Sequence, residues 1–104
     1  MADSALRVWL EVREDGTLRR LKAEGHGGNG ICAAATLLIR SVARECEAKG
    51  FVESGSAEKP GEMEMTLYKG GDWLRGATDI LMRGLEDLQR ESPQVEVKCQ
   101  SITT

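Results

Sequence analysis

The chain has 104 residues, 40% hydrophobic and 30% charged, with a formal net charge of -3. That length suits one two-layer domain over residues 1–104 with a single core. No Lys/Arg block has the density of a phosphate-binding surface, no apolar run is long enough to span a bilayer, and the opening "MADSALRV" lacks a basic region followed by an apolar segment. Nucleic acid and membrane are therefore not expected as partners, and the cytoplasm is the expected compartment.

Leu6, Val8, Leu10 and Val12 alternate with Arg7, Trp9 and Glu11, which predicts a half-buried strand. Asp15-Gly16 is a strong hairpin turn, and "TLRRLKAEG" is the returning strand. Its leucines, Leu18 and Leu21, are three apart, which predicts a bulge. The glycine-rich stretch Gly25 to Gly30 reads as loop. From Ile31 the period changes. Ile31, Ala34, Ala35, Leu38, Val42 and Cys46 recur at three and four, which predicts an amphipathic helix capped by Asn29 or Gly30 and closed by Gly50.

Met63, Met65 and Leu67 alternate with glutamates and predict a strand, with Phe51–Glu53 as its pairing partner. "KGGDW" reads as a turn in which Asp72 caps a second helix. The apolar stripe of that helix is expected to include Trp73, Ala77, Ile80, Leu81, Leu85 and Leu88, and Ser92-Pro93 stops it. Val95, Val97 and Cys99 share one face of a last strand. The order predicts an α+β two-layer sandwich, with two helices on a mainly antiparallel sheet of four to five strands.

The three cysteines have no zinc spacing, and no metal or other cofactor is expected. Cys32 and Cys46 are fourteen positions apart on one predicted helix, roughly 21 Å at the α-helical rise, too far to bridge within a chain. Cys46 and Cys99 read as core residues. Cys32 is different, because it opens a helix and lies six positions after the only histidine, His26. A helix start carries unpaired N–H groups and about half a positive charge, which favours a thiolate. A nearby imidazole can stabilise it further and carry a proton to a leaving amine. The same N–H groups suit a developing oxyanion, and glycines let a substrate backbone come close. Small residues before a helix and an ordinary buried cysteine would give the same pattern, so spacing alone leaves both readings open.

The residues Gly25-His26, the glycine loop, and Cys32-Ala33-Ala34 with Thr36 resemble the bacterial ribosomal-processing cysteine proteases. The hairpin before "GH", the glutamate-rich strand, the helix around "LMRGLEDLQRESP" and the closing "VEVK" also have counterparts there. The resemblance implies a cysteine endopeptidase that removes a short N-terminal extension from a large-subunit ribosomal protein, and it implies a homodimer. It makes Cys32 the nucleophile and His26 the general base. Thr36 becomes a supporting hydroxyl, Ala33 a backbone donor, and Gly25, Gly27, Gly28 and Gly30 parts of a substrate loop. Two features depart from the family pattern. The His26-to-Cys32 loop is shorter than usual, and Asn29 stands where an acidic residue is normal. Asn29 either orients the imidazole, as asparagine does in papain-like sites, or caps the helix. The alternative reading is a protease-like scaffold that binds a ribosomal-protein tail or an assembly partner without cutting.

Overall fold

The opening alternation builds the centre of the sheet. In the computed structural model, which describes residues 6–25, 30–56 and 62–103, β1 (Leu6–Arg13) and β2 (Leu18–Glu24) form an antiparallel hairpin. Leu6, Val8, Leu10 and Val12 are buried on one face. At the turn Gly16 takes a left-handed φ of 88°, a conformation that costs glycine little. The Asp15 carboxylate accepts the Thr17 hydroxyl at 2.6 Å and its amide at 2.9 Å. Those bonds, the hydroxyl's first, hold the carboxyl below its ordinary range. The predicted bulge is present: Glu11 faces Arg20 while Val12 faces Leu18, so Arg19 is the extra residue.

Helix α1 (Gly30–Ala48) ends in a Schellman motif. Phe51 N–H donates to the Cys46 carbonyl at 2.9 Å and Gly50 N–H to that of Glu47 at 3.1 Å, with Gly50 at φ 78°. Strands β3 (Val52–Ser56) and β4 (Glu62–Leu67) follow, then α2 (Asp72–Glu91) and β5 (Val95–Ile102). The sheet order is β3-β4-β2-β1-β5, antiparallel throughout except for the parallel pair β1–β5. β2-α1-β3 and β4-α2-β5 are both crossovers between parallel strands, and their helices cover one face of the sheet. The α+β two-layer architecture is thus the predicted one, with five strands.

The helix stripes differ in detail from the sequence pattern. Among the described side chains of α1 the buried positions are Ala35, Ile39, Ala43 and Cys46, while Ala34 is exposed and Leu37 is 68% exposed. In α2 the buried residues are Leu74, Thr78, Leu81 and Leu85. Trp73 instead stacks on Phe51, with ring centroids 5.6 Å apart, under Lys49 at 5.1 Å, and Ile80 is 66% exposed. Asp72 is not the cap of α2. The first helical bond runs from Arg75 N–H to the Gly71 carbonyl at 3.1 Å, which makes Gly71 the cap and Asp72 the first helical residue. Cys46 is fully buried, as expected, but Cys99 is exposed, in the second half of edge strand β5, beyond buried Val95 and half-buried Val97.

Two buried polar residues tie elements together: Thr78 links α2 to the sheet, and Arg13 links strands within it. The Thr78 hydroxyl accepts the Leu18 N–H at 3.0 Å and donates to the Leu74 carbonyl at 2.7 Å. The Arg13 guanidinium, 5% exposed, donates to the carbonyls of Leu67 at 2.5 Å and Leu18 at 3.1 Å, and to the Thr17 hydroxyl at 3.2 Å. It closes the end of the sheet where β1 and β4 finish and β2 begins.

Candidate functional site

The opposite end of the sheet carries the start of α1. There Arg7 faces Glu24, Glu24 faces Glu62, and Leu6 faces Val95. The beginnings of β1, β4 and β5 therefore meet the end of β2. Gly25 leaves the sheet at φ 93°, where any side chain would be strained. Five positions later the chain is already helical at Gly30. The backbone of Cys32 belongs to the first turn of α1, followed by exposed Ala33 and half-buried Thr36 one turn on.

Among the predicted site residues, the structure thus positions Gly25, Gly30, Ala33 and Thr36 and the helical backbone at Cys32. His26, Gly27, Gly28, Asn29 and the side chain of Cys32 lie outside the described residues. The first turn of α1 contains no acidic residue, so no carboxylate of its own opposes a negative charge at that helix end. Nearby on the solvent-facing side of the sheet, Arg7 approaches Glu24 at 3.9 Å. Both groups are well exposed, so this pair contributes little to stability.

The other two cysteines sit in different environments. Burial, reinforced by Glu45 and Glu47, pushes the Cys46 thiol up to about 11. Burial and then Glu86 also raise the Cys99 thiol, whose sulfur is 4.0 Å from that of Met82. Neither has the electropositive setting that activates a thiol.

Two concavities lie away from the start of α1. One, of about 270 Å³, is on the open face of the sheet around Trp9, Arg20, Lys22 and Lys98. Lys22 there covers the Trp9 ring at 5.2 Å. The other, of about 510 Å³, runs between the helices beside Val42, Glu45, Trp73 and Ile80. Sequence reading missed both, because each is assembled from residues distant in the chain. Among the described residues, no group of His, Cys, Asp and Glu is placed to hold a metal ion, and no helix is long and apolar enough to cross a membrane.

The chain is thus a two-layer α+β domain with a cysteine in the first turn of its first helix. No protein-family profile matches the sequence, and no curated protein does. Solved structures do match the fold. The ribosomal processing protease Prp from S. aureus, in complex with a covalently linked product peptide, superposes with a TM-score of 0.74 at 12% identity, covering 91% of this chain and 99% of that one. The same protease with a substrate peptide gives 0.70 at 11% identity, covering 93% and 99%. SMU.848 from Streptococcus mutans gives 0.70 at 21% identity, covering 97% of each chain. The fold of this chain is the Prp fold, along nearly its whole length.

Proposed function

We propose that this protein is a cysteine endopeptidase that removes a short N-terminal extension from a large-subunit ribosomal protein. The observation that carries the reading is the fold shared with a ribosomal processing protease over 91% of this chain, together with Cys32 in the first turn of α1. In this mechanism His26 takes the proton of the Cys32 thiol, and the helix-start N–H groups stabilise the resulting thiolate. The thiolate attacks the scissile carbonyl, and backbone N–H groups at Cys32 and Ala33 hold the oxyanion. His26 gives a proton to the leaving amine, which departs and leaves a thioester on Cys32. Water, deprotonated by His26, then hydrolyses the thioester and frees the thiol. Thr36 supports the site with its hydroxyl. Gly25, Gly27, Gly28 and Gly30 give the approach to it, and Asn29 orients the imidazole or caps the helix. The enzyme works in the cytoplasm as a homodimer and without a cofactor.

The test is cleavage of a ribosomal protein bearing its N-terminal extension, followed by mass spectrometry. Wild type is expected to shorten it, and Cys32→Ser and His26→Ala are each expected to abolish cleavage with unchanged circular dichroism. Binding of the tail without turnover would replace this reading by the non-cutting scaffold.

A further inference from the structure

The two edges of the sheet are built differently. β3 is five residues long, its register shifts between Val52 and Ser54, and Gly55 sits at φ 95° with Glu64 crowding it. Such an edge resists further pairing. β5 is eight residues long and pairs with β1 from Val95 to Ile102 without a shift. Among the described residues no strand pairs with its outer side.

The outward groups of β5 can be assigned. Leu6 N–H donates to the Gln94 carbonyl at 2.9 Å, so the even-numbered residues of β5 turn their backbone groups toward β1. Val97 N–H donates to Gln89 Oε1 at 2.5 Å, away from β1. Val95, Val97, Cys99 and Ser101 therefore present the free edge. Glu96 and Lys98 project from the uncovered face of the sheet, in register with Arg7 and Trp9. Both are exposed, and among the described residues neither has an ion-pair partner.

We infer that the outer edge of β5 pairs antiparallel with β5 of a second copy of this chain, about a two-fold axis at Val97. In that register Val97 faces its own equivalent as a hydrogen-bonded pair. Val95 faces Cys99, and Glu96 faces Lys98 at the closer, non-hydrogen-bonded sites. Each two-fold pair thus supplies two opposite-charge contacts, and half-buried Val97 and exposed Cys99 gain apolar cover. A two-fold axis at Glu96 or at Lys98 would set like charges face to face, and one at Cys99 would leave Glu96 against Ile102. The side chain of Gln89 now fills the place of the partner's carbonyl, and exchanging it for a backbone acceptor is nearly neutral. Val95 N–H is already held by the Ser92 carbonyl at 3.2 Å, so Val95 joins the ladder through its own carbonyl. The inference rests on the homodimer proposed under Proposed function and specifies its interface.

Charge reversal tests it. Sedimentation velocity on wild type, Glu96→Lys, Lys98→Glu and the Glu96→Lys/Lys98→Glu double variant reads the assembly directly, with circular dichroism confirming the fold at these exposed positions. Wild type is expected at twice the 11.4 kDa chain mass. Each single reversal sets like charges opposite each other at both symmetric sites, and is expected to weaken dimerisation at least about tenfold. The double variant restores opposite charges and is expected to recover the dimer. Single variants that dimerise as tightly as wild type would overturn this interface while leaving the homodimer standing, and failure of the double variant to recover would overturn the register. A wild type that sediments as one chain would overturn both.

Discussion

The amide of Leu18 reaches across the core to the hydroxyl of Thr78, 3.0 Å away. This bond ties the bulged start of β2 to the middle of α2, and it explains a threonine in an otherwise apolar helix stripe. Thr78→Val keeps the shape but strands a buried N–H, and the expected loss is about 1–3 kcal/mol of unfolding free energy. Thr78→Ser, which keeps the hydroxyl, is expected to lose less. Urea denaturation of the two variants beside wild type is the check.

Arg13 performs a related task at the far end of the sheet. Removing its guanidinium by Arg13→Met leaves the buried carbonyls of Leu67 and Leu18 without these donors. The expected cost is about 3 kcal/mol, since bonds from a charged donor exceed neutral ones. Arg13→Lys is not expected to rescue it, because a single ammonium does not reproduce the planar fork. Thermal unfolding monitored by circular dichroism reads both. As Arg13 lies at the end of the sheet away from Cys32, any cleavage by the folded variant is expected to persist.

Gly55 has the tightest backbone requirement in β3. A Cβ placed there would stand 2.0 Å from the Glu64 carbonyl oxygen, and its φ is already 95°. Gly55→Ala is expected to destabilise by more than about 1 kcal/mol. The loss should appear as faster amide exchange in β3 and the facing part of β4 before it appears globally.

The buried thiol gives a pH prediction. Cys46 rises from 9.0 to about 11 in the folded protein, with burial as the first cause. A folded-state value above the unfolded one means that the native state holds its proton longer. The contribution of Cys46 is therefore complete below about pH 9 and lost as pH rises toward 11. Cys46→Ala is expected to flatten the alkaline decline in stability over that window, measured by urea denaturation at stepped pH.

The fold was legible because its signals were local. Alternation at Leu6 to Val12, the Asp15-Gly16 turn, the Leu18/Leu21 slip and Gly50 after α1 each reported a backbone event within a few residues. The less legible features depend on distant partners. Trp73 looked like core until Phe51 and Lys49 took up its ring, and Cys99 looked buried because nothing in its alternation marks an edge strand. Arg13 gave no signal at all, since its carbonyl partners come from β2 and β4. The proposed site rests on a motif of the sequence, Gly25-His26 before Cys32-Ala33-Ala34. The structure adds the helix that Cys32 opens and the sheet end at which it stands.

Whether Cys32 is an activated nucleophile is read most directly from its reactivity. Iodoacetamide alkylation would be followed against pH by peptide mass spectrometry, in wild type and in His26→Ala, with Cys46 and Cys99 as internal references. Cys32 is expected to react as a thiolate well below about pH 8, where a free thiol is still largely protonated, and His26→Ala is expected to move its profile toward higher pH. A Cys32 that titrates like an ordinary thiol in both proteins would contradict the account.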